Sequence, residues 1–327
     1  MSFNVLVMRP IPQAGLDRLR PDCRVLEVLD AAVLADRPAL CAALRGRDAI
    51  ICDVGVPIDR ELLAAAAPTC RVLANFGVGT DHIDLLAARE FGMVVTSTPG
   101  VLTEATADLT WALILAVARR VLEADRLVRS GEWTGWAPLQ PLGVDLSGKT
   151  LGIVGAGRIG TAVARRATGF QMRVSYVNRS SNDTVERMGG RRVDLHTCLA
   201  ESDFLSLHLP LSPQTRHLIG AEQLRRMRPT AYLINTSRGP VVDERALVAA
   251  LQVGVIAGAG LDVYEHEPYP TPELLTMSNV VCLPHVGSAT VETRDRMAIM
   301  TAENVLAVLS GAPPPNPVLA HVGEASR

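Results

Sequence analysis

The chain has 327 residues, 48% of them hydrophobic and 20% charged; 32 Lys and Arg stand against 34 Asp and Glu, for a formal net charge of −2. That length suggests two domains, and that apolar content supplies a large buried core. The balanced charge, with aromatics at only 4%, argues against nucleic-acid and anionic-membrane partners.

The six cysteines (Cys23, Cys41, Cys52, Cys70, Cys198 and Cys282) include no C-x-x-C pair. Neither a disulfide framework nor a metal site is therefore expected, and free thiols in a reducing cytoplasm are the simplest reading. The N-terminus has no basic segment ahead of an apolar one, and no run of about 18 apolar residues occurs, so neither a signal peptide nor a membrane span is expected.

The first hundred residues alternate short apolar runs with helical patterns. Strands are expected at 4–8, 24–28, 49–52, 71–74 and 94–96, and helices at 14–20, 38–44 and 59–66. This is the α/β pattern of a parallel sheet, which binds ligands at the carboxyl ends of its strands. Two such ends carry a Val54-Gly55-Val56-Pro57 loop and the run Gly77-Val78-Gly79. A first domain crossing is placed at Thr98-Pro99-Gly100. The apolar spacing then predicts one long helix over 102–127, broken by a Gly/Pro loop that holds Trp133 and Trp136.

A four-residue apolar run, 151–154, precedes Gly155-Ala-Gly-Arg-Ile-Gly160, and a helix-like segment follows. In this strand-to-helix setting G-x-G-x-x-G is the dinucleotide fingerprint: Gly155 for the tight turn, Gly157 for close approach of the pyrophosphate, Gly160 for helix packing. The next strand, 172–177, ends at Asn178-Arg179-Ser180. An NAD site places Asp or Glu there, on the ribose 2′-hydroxyl. No carboxylate stands here to repel a 2′-phosphate, and Arg179 offers a donor fork suited to one, so NADP(H) is expected; the competing reading is NAD(H) held through Asn178.

Further strands are expected at 204–208, 231–235 and 280–283, with a glycine-broken apolar run at 257–263. A final helix over 291–309 is expected to return to the first domain, and Ala312-Pro-Pro-Pro-Asn-Pro317 to begin a disordered tail. The resulting division is 1–99 plus 287–327 against 100–286.

Arg238, Glu267 and His285 stand near strand ends in the second half. An arginine fork can anchor a carboxylate and polarise a ketone, a histidine can deliver a proton near neutral pH, and a carboxylate beside it fixes its tautomer. On spacing alone, though, the three read as a surface arginine, a turn glutamate beside Pro268 and a capped core histidine.

Several ordered motifs outweigh that plain reading. Gly77-Val-Gly-Thr-Asp-His-Ile-Asp84, the glycine fingerprint, His208-Leu-Pro-Leu-Ser-Pro-Gln-Thr215, Asn235-Thr-Ser-Arg-Gly-Pro240, Gly260-Leu-Asp-Val-Tyr-Glu-His-Glu-Pro268 and Leu283-Pro-His-Val-Gly-Ser-Ala-Thr290 resemble the D-isomer-specific 2-hydroxyacid dehydrogenase family along nearly the whole chain. The resemblance implies two doubly wound parallel-sheet domains, a flavodoxin-like substrate domain and a Rossmann domain, with the active site in the cleft between them. It implies that His285 donates the proton, that Glu267 orients it, and that Arg238 holds the carboxylate and keto oxygen. Val54, Val78, Gly79 and Trp136 join Arg238 and His285 as implied substrate contacts. Implied cofactor contacts are Thr106, Gly155, Gly157, Arg158, Ile159, Gly160, Asn178, Arg179, Ser180, His208, Pro210, Thr215, Thr236, Ser237, Arg238, Asp262, His285 and Gly287. The tryptophan loop resembles that of the glyoxylate/hydroxypyruvate reductase subgroup, which implies a homodimer through the dinucleotide domain and NADPH-dependent reduction of glyoxylate and hydroxypyruvate. Reduction of 2-ketogluconate, oxidation of phosphite, and a dinucleotide-sensing co-repressor role are the alternatives.

Overall fold

A computed structural model describes residues 2–319. The chain divides into two compact units, Met1–Leu102 with Ala289–Arg327, and Thr103–Ser288.

The first unit holds five parallel strands: β1 (Phe3–Val7), β2 (Cys23–Val28), β3 (Ala49–Cys52), β4 (Val72–Asn75) and β5 (Val94–Thr96), in the order β2-β1-β3-β4-β5. That order is flavodoxin-like. Its central strands are apolar on both faces because helices cover both. Alternate residues sort to opposite sides: Val5, Val7, Ile51, Val72 and Ala74 pack with Met297, Ala298, Ala302 and Val305 of the helix Val291–Leu309. Leu6, Ile50, Leu73 and Val95 pack with Leu40, Leu62 and Leu63. Helix starts are fixed by aspartates that accept from backbone N–H groups: Asp30 from Val33, Asp59 from Leu62 and Asp84 from Ala87. The first of these supports a short helix, Ala31–Ala35, that hydrophobic periodicity does not reveal.

The tail expectation is corrected at residues 312–319. Pro317 bridges Thr96 in antiparallel sense, Val318 N–H donates to Val95 O (2.8 Å), and Asn316 N–H donates to the buried Asn304 side chain (3.0 Å). The proline-rich composition suggested disorder, but four prolines also leave few backbone donors to satisfy, and the strap finds its partners on the β5 edge and on Asn304 of the final helix. Residues 320–327 of the expected tail lie outside the described residues.

The second unit is a seven-stranded parallel sheet of β6 (Thr150–Val154), β7 (Arg173–Val177), β8 (Arg191–Arg192), β9 (Phe204–Leu207), β10 (Tyr232–Asn235), β11 (Gly258–Leu261) and β12 (Val280–Cys282), ordered β12-β11-β10-β9-β6-β7-β8. This is the Rossmann order with one strand added, and the strand order reverses between β6 and β9. The helix Thr103–Ala118 packs on the sheet, where Trp111 stacks on Phe170 (centroids 4.4 Å apart) and donates from its indole N–H to Val163 O.

The single helix expected over 102–127 is two, Thr103–Ala118 and Val121–Arg129. Arg120 lies between them with φ 51°, in the left-handed region. The first helix ends because Val144 N–H takes the Ala118 carbonyl (2.8 Å), a partner twenty-odd positions away that helical periodicity cannot see. All six cysteines are unpaired thiols. Among the described residues no helix is long and apolar enough to cross a membrane.

Candidate active site

The carboxyl edge of the second sheet gathers most of the expected residues. Gly155 follows β6 with φ +98°, which an L side chain adopts only under strain. A Cβ on Gly160 would lie 2.1 Å from the Gly155 carbonyl oxygen, whereas one on Gly157 meets nothing within 4 Å. Gly160 therefore draws the helix Arg158–Ala167 onto the turn, and Gly157 leaves space above it. Gly157 is the N-cap of that helix and no side chain caps it. The open glycine and the uncapped N-terminus fit a dinucleotide pyrophosphate, which backbone N–H groups and the helix dipole would hold. Arg158 is exposed and Ile159 half-buried at this turn.

His208 leaves β9 beside this turn, at the reversal in strand order, with its N–H on Val154 O (2.8 Å). Its Nε2 lies 2.9 Å from Ser206 Oγ, and its Nδ1 is covered without a partner. Burial lowers its pKa to about 3, so the ring is neutral at physiological pH. Pro210 and Thr215 form one turn beyond it, where Thr215 Oγ1 donates to Pro210 O (2.7 Å).

At the end of β7, Arg179 and Ser180 are exposed and Asn178 is half-buried. The loop is braced from two sides. Asn182 donates to Ala156 O (2.8 Å) and Thr161 Oγ1 (2.9 Å), which ties it to the glycine turn. Arg192, from β8, donates to Asn178 O (3.2 Å) and Arg179 O (2.7 Å). Arg192 was missed at the sequence level. The paired arginines 191–192 were visible, but only the β7–β8 pairing shows that one of them reaches this loop.

The expected chemical residues sit at the ends of three adjacent strands. After β10, the buried Asn235 shapes the turn: its Oδ1 accepts from Ser237 N–H (3.0 Å) and Ser237 Oγ (2.8 Å), and its Nδ2 donates to Arg238 O (3.0 Å). Thr236 shares a 2.9 Å hydroxyl contact with Thr110, and Arg238 is half-buried. After β12, His285 adopts φ 55°. Its N–H donates to Asp262 O (2.8 Å), while the Asp262 carboxylate, at the end of β11, accepts from Val286 and Gly287 N–H (2.8 Å each). Three bonds thus offset a left-handed conformation that costs a non-glycine residue about 1 kcal/mol or more. Burial raises the Asp262 pKa against those two N–H bonds. Thr106 and Asp262 both lie against Gly287.

His285 Nδ1 is 2.8 Å from Glu267 Oε2, with both side chains about one-third exposed. The other Glu267 oxygen accepts from Tyr264 N–H (3.2 Å). The carboxylate therefore fixes the ring with Nδ1 protonated and leaves Nε2 to exchange a proton with a ligand. Sequence spacing alone favoured unrelated roles for these two residues; the structure joins them directly.

In the first unit, Val54 and Val78 are exposed and Gly79 half-buried, at the ends of β3 and β4. Asn75, almost fully buried at the end of β4, donates to Gly77 O (3.1 Å) and Gly79 O (2.9 Å) and so shapes that turn as Asn235 shapes its own. In the second unit, Trp136 is 83% exposed in the loop after the helix Val121–Arg129.

Residues 111–287 match the family model described as D-isomer specific 2-hydroxyacid dehydrogenase, NAD binding domain. A glyoxylate reductase from Thermococcus litoralis is 49% identical over 321 residues, covering 97% of this chain and 96% of that one. A crystal structure of an NADPH-dependent glyoxylate/hydroxypyruvate reductase from Sinorhizobium meliloti, in complex with NADP and malonate, is 36% identical, covers 97% of each chain and superposes with a TM-score of 0.86. A crystal structure of a Thermus thermophilus protein is 48% identical, with a TM-score of 0.89 over 97% of this chain and all of that one. With the glycine turn, the Rossmann strand order and the Glu267–His285 pair in place, these likenesses establish that the chain is a nicotinamide-dinucleotide-binding member of the D-isomer-specific 2-hydroxyacid dehydrogenase family.

Proposed function

We propose that the protein reduces small 2-keto acids, glyoxylate and hydroxypyruvate, to their 2-hydroxy acids with NADPH as the preferred reductant. The observation that carries this reading is the 2.8 Å Glu267–His285 contact on the sheet edge that also bears the open glycine turn. The bound dinucleotide would supply the hydride. Arg238 binds the substrate carboxylate and polarises the keto oxygen. His285, protonated on both ring nitrogens, delivers its Nε2 proton to the oxygen as negative charge develops there; Glu267 stabilises the imidazolium before the transfer and holds the neutral ring, still protonated at Nδ1, after it. Asp262 keeps His285 in place through the backbone.

NADPH preference is supported by the absence of a carboxylate at Asn178-Arg179-Ser180 and by the Arg192 brace on that loop. The relative from Sinorhizobium meliloti, crystallised with NADP, is in keeping with it. A homodimer through the second unit is supported by apolar side chains left exposed within one stretch of chain, from Val121, Leu122 and Val128 to Trp133, Trp136 and Leu139. Light scattering on the pure protein distinguishes the dimer from a monomer.

The deciding experiment is the initial rate of NADPH and NADH oxidation with glyoxylate, hydroxypyruvate, pyruvate and 2-ketogluconate. Rapid turnover of NADPH with the two small acids is expected. Turnover with NADH alone would overturn the cofactor preference, and no turnover with any acid would overturn the reaction.

A further inference from the structure

Glu244 is a charged residue only 6% exposed, and it has no part in the reaction proposed above. It opens the helix Glu244–Gln252, behind the segment that carries Glu267. One Glu244 oxygen accepts from Glu265 N–H (2.8 Å) and the other from Thr271 N–H (2.6 Å). Glu265 reciprocates: its Oε2 accepts from Glu244 N–H (3.2 Å), one of the free donors at that helix N-terminus, and its Oε1 lies 2.6 Å from His217 Nε2. His217 is anchored in turn, its N–H on Pro240 O (2.8 Å). The two carboxylates thus grip the Glu267 segment on both flanks, at 265 and at 271, and tie it to the turn that follows Arg238.

A buried carboxylate is costly to retain unless hydrogen bonds satisfy it. A neutral residue would serve packing alone. Two oxygens that accept from two backbone N–H groups six residues apart instead fix the course of the chain between them.

We propose that Glu244 and Glu265 form a carboxylate clamp that positions Glu267, and through it the tautomer and orientation of the His285 ring. This rests on the roles given above to Glu267 and His285. Both clamp residues are positioning residues, since neither is placed against substrate or cofactor.

The test is Glu244→Gln, with Glu265→Gln as a second variant that disturbs the more accessible half of the clamp. Each glutamine keeps the shape but turns one acceptor into a donor: at 244 it opposes the Glu265 or the Thr271 N–H, and at 265 it faces either the Glu244 N–H or His217 Nε2. A displacement of about 1 Å at reacting groups costs on the order of a hundredfold in rate, and a partial release of Glu267 costs less, so kcat with glyoxylate is expected to fall about tenfold or more, with the dinucleotide Kd unchanged. Imidazole nitrogen NMR of histidine-labelled protein, assigned against a His285→Asn sample, is expected to change from a single Nδ1-protonated tautomer to a mixture. That signal is read without any keto acid. A wild-type protein that turns over none of the acids, but whose variants lose the single tautomer, would sink the functional reading and leave the clamp standing. An unchanged tautomer in both folded variants, or unchanged kcat in both, would overturn the clamp.

Discussion

Gly239 follows Arg238 directly and gives the sharpest test of how rigidly the site is held. A Cβ built there falls 1.7 Å from the Tyr264 carbonyl oxygen, 1.8 Å from its carbon and 2.5 Å from Glu265 N. All three are backbone atoms, so no rotamer change makes room. Real Cβ atoms essentially never approach a heavy atom more closely than 3.0 Å, so Gly239→Ala forces the turn after Arg238 and the segment leading to Glu267 apart by more than about 1 Å. Overpacking of this kind costs about 1–3 kcal/mol of stability. A displacement of about 1 Å at reacting groups costs on the order of a hundredfold in rate. The expected outcome is a variant that still folds, with a lowered Tm and a kcat reduced about a hundredfold in the glyoxylate assay. Wild-type kcat in Gly239→Ala would refute the reasoning, because it would mean that the Arg238 turn and the Glu267 segment need not keep this apposition for the chemistry to run.

Other outcomes follow from the same geometry. Arg179→Asp removes a charge-assisted phosphate contact worth about 1.5–3 kcal/mol, so kcat/KM for NADPH should fall at least tenfold or so while that for NADH holds; an unchanged ratio would place 2′-phosphate recognition elsewhere. His285→Asn keeps a side chain that tolerates positive φ but carries no titrating proton, and turnover should fall by about a hundredfold or more, with dinucleotide Kd intact. Substantial residual activity would remove His285 as the proton donor. His208 takes up a proton in the unfolded chain near pH 6.5 but resists it in the folded one down to about 3. Its contribution to stability is therefore present above about pH 6.5 and lost as pH falls toward 3, so urea midpoints of wild type should drop more steeply over that window than those of His208→Asn. Parallel curves would show that the ring is not buried neutral.

Much of this was legible in the sequence because parallel strands buried on both faces announce themselves as short apolar runs. Runs such as 49–52 and 94–96 coincide with β3 and β5. The glycine turn was equally plain, since its three glycines each answer a local steric demand. What escaped was long-range. The end of the helix at Ala118 depends on Val144, the brace on the Arg179 loop comes from the next strand, and the order in residues 312–319 depends on the exposed edge of β5. The Glu267–His285 contact spans eighteen positions and two strand ends, so the motifs suggested it where spacing could not. Asn75 and Asn235 each end a strand as a single polar residue after apolar ones. Nothing in that pattern tells that the side chain turns back to bind its own loop.

The helix Val291–Leu309 and the strap after it belong to the first unit's core, yet they follow the whole second unit in the chain. Their closing contacts span 238 and 207 positions: Arg71 donates to Leu309 O (2.8 Å) and Asn304 to Ser97 O (3.2 Å). During translation the five strands of the first sheet emerge early but lack the full cover for Val5, Val7, Ile51 and Val72. The contiguous second unit can complete its own sheet first. The first sheet then waits, with one apolar face covered only in part, by the helix Gln13–Leu19, and the β5 edge open, until the helix Val291–Leu309 leaves the ribosome. An N-terminal fragment released before that point carries a partly uncovered parallel sheet, the kind of surface that aggregates and that chaperones retain. The enzyme's assembly therefore runs outward from its middle, and nascent-chain quality control has its longest opportunity at the part that comes out first.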